Sequence, residues 1–244
     1  MQRLSRLTAV AALAFAALLP PAAAAAELRA LFSGWSYDFE GTVDDDGARY
    51  DINDDLELEP RRRRGFALEI DTPDGGWPDM TLGYTPISAE GEHSEEVTFP
   101  LPGTRTILTE TDFGIHEVVV RWPLNSGGLR FSVGVAVQQL EGELTIDDSQ
   151  EAEPRRQRYD ETFPLLHAQL RMAGKAFGLS AVAQAVEYDG SRALELRALA
   201  EARFLAPLLV QAGWQEKRYE IDLSDYALDA RVSGAVLRFG VLYR

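Results

Sequence analysis

The sequence predicts an all-β protein, an antiparallel up-and-down transmembrane β-barrel of ten strands. Three observations predict it. Ten segments between Leu28 and Arg244 alternate apolar and polar residues. The connections between them alternate between long, acidic stretches and short turns. The aromatic residues gather at two levels of the resulting wall. Successive side chains on a strand point to opposite faces, so each segment has one apolar and one polar face. A bilayer admits β-structure only as a closed barrel in which every backbone group is paired.

The chain has 244 residues and no cysteine. Residues 1–26 read as a secretory signal peptide. Arg3 and Arg6 supply a positive start, Leu7 to Leu19 an apolar stretch, Pro20 and Pro21 its end, and Ala22 to Ala26 the small residues of a cleavage site. Residues 27–244 read as a single barrel domain. An exported chain without cysteine has no disulfide framework, so strand pairing must supply its stability. The formal charge is −15, which argues against nucleic acid as a partner. No later stretch approaches about 18 consecutive apolar residues, which excludes a helical membrane protein.

The strands are expected at 28–39, 62–71, 79–88, 112–122, 129–141, 159–172, 177–188, 192–204, 208–220 and 230–243. A tilted strand needs about 9–11 residues to cross the hydrocarbon. In the fifth, Leu129, Phe131, Val133, Val135 and Val137 alternate with Arg130, Ser132, Gly134, Ala136 and Gln138. In the sixth, Pro164 has no N–H to give the ladder, so a bulge or a strand start is expected there. In the eighth, Leu194, Leu196, Ala198, Ala200, Ala202 and Phe204 alternate with Glu195, Arg197, Glu201 and Arg203. In the last, Ala235, Leu237, Phe239, Val241 and Tyr243 oppose Gly234, Arg238 and Gly240. Strand ends read from alternation are loose, which leaves eight strands as the alternative count.

Thr72–Pro78, Pro123–Gly128, Ala173–Ala176 and Leu205–Pro207 are short, as periplasmic turns are. Glu40–Arg61, Ala89–Thr111, Gly142–Arg158 and Ile221–Asp229 are long, as extracellular loops are; Asp189–Ser191 is a short exception on that side. This topology puts Tyr37, Phe113, Tyr159, Phe163, Tyr188 and Tyr219 at extracellular ends, and Trp77, Trp122, Phe131, Phe177, Phe204 and Tyr243 at periplasmic ends. Two aromatic levels suit two headgroup regions. A soluble lipocalin-like barrel, with the same period and the opposite sense, is the competing reading.

Asp51-Ile52, Asp55-Leu56-Glu57-Leu58, the strand Phe66–Ile70 and the run Pro78–Thr85 resemble a family of small Gram-negative outer-membrane β-barrel proteins named for a Gly-Gly feature. The resemblance covers residues 28–125 and implies fold and outer-membrane location. It lends no catalytic residue. The alternating Leu237, Phe239, Val241 and Tyr243 also look similar to the terminal signal read by the barrel-assembly machinery, with Arg244 following the tyrosine as a departure.

The polar faces compose a charge ladder expected to fill the lumen: Glu69, Glu117, Arg121, Arg130, His167, Arg171, Glu195, Arg197, Glu201, Arg203 and Arg238, with Gln169, Gln184, Gln211, Gln215 and Lys217 among them. A barrel of about eight strands is just filled by its own side chains, and ten leave little more room. A narrow polar channel is the competing reading. A second, basic set falls at the extracellular boundary: Arg61, Arg62, Arg63, Arg64, Arg155, Arg156, Arg158 and Arg218, with Arg192, Lys217 and Arg231 nearby. Guanidinium groups bind phosphate in bidentate fashion, so this belt is expected to contact lipopolysaccharide. Snorkelling and pairing with the acidic loops is the alternative. The carboxylates of the first loop match no calcium-loop spacing. His93, His116 and His167 fall in no nucleophile–base motif. No catalytic residue, metal site or cofactor is therefore expected. The expected function is a non-enzymatic envelope role among outer-membrane lipids; a channel for small polar solutes and an outer-membrane hydrolase are the alternatives.

Overall fold

The computed structural model describes residues 26–45, 48–72, 77–97, 103–125, 127–150, 153–188, 190–205, 207–222 and 226–243. The expected signal peptide, the tip of the 72–78 turn and Arg244 lie outside the described residues. Twelve strands are present: β1 (Glu27–Asp45), β2 (Ala48–Asp51), β3 (Glu59–Arg61), β4 (Arg64–Asp71), β5 (Asp79–Val97), β6 (Gly103–Pro123), β7 (Leu129–Asp148), β8 (Arg155–Ala173), β9 (Phe177–Tyr188), β10 (Ser191–Leu205), β11 (Leu208–Asp222) and β12 (Tyr226–Tyr243). Ten of them form the wall, each pairing antiparallel with its neighbour in the chain. β2 and β3 are short pieces within the first extracellular connection, paired to β1 and β5. The ladder from Leu28↔Tyr243 to Asp45↔Tyr226 joins β1 to β12 and closes the cylinder. Closure satisfies the edge groups that hydrocarbon would leave without partners.

Three expectations are corrected. The long connections are mostly strand. β5 runs on to Val97, β6 begins at Gly103, β7 runs to Asp148 and β8 begins at Arg155. These strands have 19–21 residues, about twice what a bilayer needs, so the barrel stands well above the membrane. Pro164 neither bulges nor starts a strand. It sits inside β8 opposite Val137 of β7, while the ladder to β9 begins only at Leu166. The missing N–H therefore falls where no β9 carbonyl waits for it.

The third correction concerns the two faces of the wall. At membrane level the outward face is apolar, with Phe32, Phe66, Val135, Leu166, Phe177, Phe204 and Phe239 all exposed. The expected periplasmic aromatics Trp77, Trp122, Phe131, Phe177, Phe204 and Tyr243 share that outward face. Of the expected extracellular set, only Tyr188 is exposed. Tyr37, Phe113, Tyr159, Phe163 and Tyr219 are buried inside the barrel. The pattern changes phase along the strand. In β7, Leu129 to Val137 face outward at odd positions, whereas Leu140, Leu144 and Ile146 face inward at even positions. Above the belt the outer wall meets water, so apolar side chains turn inward as in a soluble barrel.

Candidate functional site: the filled interior and the arginine rim

The interior at membrane level is one hydrogen-bonded network built from strands distant in sequence. Alternation delivers a polar side chain inward every second residue, and closure brings these chains face to face. Gln138 is the hub. Its Nε2, with two N–H groups, lies within hydrogen-bond distance of three acceptors, Gln184 Oε1 at 2.8 Å, Glu195 Oε2 at 2.8 Å and Glu117 Oε1 at 3.1 Å. Its Oε1 accepts from the Tyr219 hydroxyl at 2.9 Å. Gln184 Nε2 donates to Glu117 at 2.8 Å and lies 3.1 Å from His167 Nδ1. Glu195 is fully buried and ion-paired with buried Lys217, with Arg197 3.6 Å away on its other oxygen.

Toward the periplasm lies a second cluster. Asp71 takes Arg171 at 2.5 Å, Arg121 at 2.7 Å and Arg29 at 3.5 Å. Glu201 takes Arg203 at 2.7 Å, Gln211 at 2.9 Å, Arg29 at 3.2 Å and Arg171 at 3.5 Å. Asp79 takes Arg130 at 3.0 Å and Arg121 at 3.7 Å. Glu69 stands 3.8 Å from Arg29, and Arg238 is buried with no ion pair among the described residues. A buried charge is tolerated when paired and hydrogen-bonded, and most of this set is.

The structure thus places every proposed ladder residue on the inward side and gathers most of them into two clusters. The sequence reading omitted Arg29, Asp71, Asp79 and Gln138. The signal was parity: Arg29 alternates with outward Leu28, Ala30 and Phe32, and Asp71 shares the face of Glu69. Above the clusters the lumen is apolar, not polar. Ile52, Leu56 and Leu58, from the segment between β2 and β3, insert beside Tyr37, Phe113 and Phe163.

The arginine rim is mostly paired. Arg61 meets Glu90, Arg63 meets Asp112 at 3.8 Å, Arg158 meets Glu143 at 2.9 Å and Arg218 meets Glu216. Arg231 and Arg192 likewise have carboxylate partners. Arg62, Arg64 and Arg156 are exposed and carry no ion pair among the described residues. Arg155 is half-buried at the start of β8. At the tip of the extension, Arg105 Nε donates to Asp148 at 3.0 Å and holds that carboxyl below its ordinary range.

The histidines lie apart. His93 Nδ1 is 2.9 Å from Glu57 Oε1, His116 stacks on Tyr84 at 4.8 Å on the outward face, and His167 meets Gln184. Among the described residues no group of three or more His, Asp or Glu side chains is arranged to hold a metal ion.

A closed antiparallel barrel with an apolar outward belt and a filled polar interior is a membrane-spanning barrel of the outer-membrane class. No protein-family model matches the sequence. No curated protein matches it either. Among solved structures the chain is similar to the outer membrane protease OmpT from Escherichia coli, at 11% identity over 89% of this chain and 96% of that one, with a TM-score of 0.60. It also matches Ail, the attachment invasion locus protein of Yersinia pestis, at 12% identity over 88% and 99% of the two chains, with a TM-score of 0.35. OprG from Pseudomonas aeruginosa matches at 11% identity over 90% and 95%, with a TM-score of 0.34. The fold is that of the Gram-negative outer-membrane β-barrels.

Proposed function

We propose that this chain is an integral outer-membrane protein with a non-enzymatic envelope role, its lumen closed at rest. The filling of the interior carries this reading. Two ion-pair clusters occupy the membrane level, and an apolar core occupies the level above. Water and ions would have to displace both. Reconstitution in planar bilayers is expected to give no unit conductance; a steady open pore in the purified protein would replace this reading with a polar channel.

Within this reading, contact with lipopolysaccharide falls to the arginines that lack a carboxylate partner, Arg62, Arg64 and Arg156. The paired ones are already neutralised. Replacing the three with Ser should lower co-purified lipopolysaccharide more than replacing Arg61, Arg158 and Arg218 does. Equal lipid content in all forms would remove the idea. The resemblance to the Gly-Gly type of outer-membrane barrel supports the same location. The barrel-assembly machinery is the partner expected during insertion.

A further inference from the structure

We propose that the upper edge of β8, Arg156 to Pro164, docks an extended peptide segment of another protein. The segment adds as an antiparallel strand and carries a carboxylate at the level of Arg156. β8 pairs with β7 from Ile146↔Arg155 to Leu129↔Met172, but its ladder to β9 begins only at Leu166↔Ala185. The β9–β10 hairpin is the short extracellular connection, and β9 ends at Tyr188. Carried upward, the same register sets Tyr188 level with Phe163, so Arg155 to Thr162 rise above the hairpin. That is about 25 Å of strand, at about 3.3 Å per residue, with a neighbour on one side only.

Backbone groups along a strand point alternately to its two neighbours. The Ala173 N–H donates on the β7 side, to the Gly128 carbonyl at 2.9 Å; the Gly174 N–H donates on the β9 side, to the Phe177 carbonyl at 2.8 Å. By that alternation the N–H and C=O of Arg156, Arg158, Asp160 and Thr162 face the open side. Pro164 agrees: β7 pairs straight past it, so its missing N–H falls on the open side too. None of these groups has a backbone partner there among the described residues. Such a row is a template for one more strand, and main-chain pairing supplies the affinity when a peptide adds to a sheet. The row begins where the apolar belt ends, above Leu166, because hydrocarbon would not tolerate it lower down.

The side chains leave the row uncovered. Arg158 reaches back to Glu143 at 2.9 Å, and Asp160 takes the Gln139 amide at 3.0 Å, both on β7. Arg156 is exposed and carries no ion pair among the described residues, so a carboxylate at its level completes the charge. A second copy fits poorly. Copies in one membrane share their orientation, so two β8 edges could meet only in parallel. With strands tilted about 40°, a two-fold axis along the membrane normal would cross them at about 80°. A strand from another protein is free of that constraint.

The test uses the labelled peptide Ser-Val-Thr-Thr-Thr-Val-Thr-Thr-Glu and the barrel in phosphatidylcholine nanodiscs, which leave Arg156 free of lipopolysaccharide. In the free barrel the amides of Arg158, Asp160 and Thr162 should exchange hydrogen rapidly, while β7 protects those of Tyr159, Glu161 and Phe163. Saturable binding that protects the first three is expected. N-methylation of the peptide at its third, fifth and seventh residues, whose N–H groups would meet β8, should abolish binding to the unaltered barrel. Asp160→Pro with Thr162→Pro removes two donors from the open side and none from the β7 ladder. It should weaken binding about thirtyfold, as two ordinary backbone hydrogen bonds imply. Exchanging the peptide's glutamate for glutamine should weaken binding about threefold in the parent and leave Arg156→Ser unaffected. Absence of saturable binding, or binding indifferent to N-methylation, overturns the proposal. A dimer that the proline pair dissolves would give the edge to a second copy and overturn it too. Conductance depends on none of this, so a failed edge would leave the closed-barrel reading standing.

Discussion

Replacing Lys217 with Met tests whether the interior network is held by its charges. Lys217 and Glu195 have side-chain exposures of 2% and 1%, so neither charge has water to turn to. Met preserves the length and volume of the lysine stem, so little cavity is added. Removing one partner of a buried ion pair typically costs about 3–5 kcal/mol. Glu195 would keep Arg197 at 3.6 Å and the Gln138 and Gln215 amides at 2.8 and 3.4 Å. That places the loss at the lower end, about 3 kcal/mol. Adding Glu195→Gln removes that carboxylate but takes from Arg197 its ion pair, so the double variant should recover only in part, losing less than the two single substitutions together. Urea unfolding of the barrel in lipid vesicles, followed by tryptophan fluorescence, reads all three. A single variant losing less than about 1 kcal/mol, or a double variant as weak as the sum of its parts, would show that the charges do not act as a pair.

Val135→Arg, in the belt, should destabilise the inserted barrel by about 2–4 kcal/mol, whereas Thr145→Arg on the same outward face of β7 should stay within about 0.5 kcal/mol. Equal effects in the same urea assay would place the membrane boundary elsewhere. Leu144→Ala should cost about 2–5 kcal/mol, because the extension carries a packed core; a loss like that of a surface residue would contradict it. The Asp148 carboxyl titrates below its ordinary value of 3.8 in the folded protein, so its stabilisation is fully present above that pH and is lost as pH falls through the folded value. The protection of the Thr106 and Ser149 amides against hydrogen exchange, corrected for the intrinsic rate at each pH, should therefore fall on acidification in the parent and show a weaker dependence in Asp148→Asn. An identical pH profile in both would remove Asp148 from the explanation.

Alternation, turn chemistry and strand number were legible before any coordinates. Period two sorts Leu129 to Val137 and Ala235 to Tyr243 onto one face and the ladder residues from Glu69 to Arg238 onto the other; the choice of the outward sense rests on the loops and the aromatics. Asp71 and Arg29 were equally legible by parity, but each stands at a strand end where the boundary read from sequence was loose. The phase change was also written in the chain. The apolar positions of β7 shift from odd to even between Val137 and Leu140, and Tyr159, Phe163 and Leu165 repeat the shift in β8. Leu144 and Ile146 fall in the connection expected at 142–158 and so have no face in the sequence reading, whereas Tyr159 and Phe163 fall inside the expected strand 159–172 and count there as part of a second headgroup girdle.

The sequence by itself determined alternation and strand count, because period two allows one apolar and one polar face per strand, although a soluble barrel of the opposite sense satisfies the same period. Pairing distance lay beyond the sequence. Gln138, Gln184, Glu195, Lys217 and Tyr219 come from four different strands, β7, β9, β10 and β11, and only closure of the cylinder fixes which of them touch. Whether an arginine at the rim is free or neutralised depends on register between strands, as Arg158 opposite Glu143 shows. The insertion of Ile52 and Leu56 depends on the shape of a core that no single strand contains. Local periodicity encodes which way a side chain points; what it meets is a property of the closed cylinder.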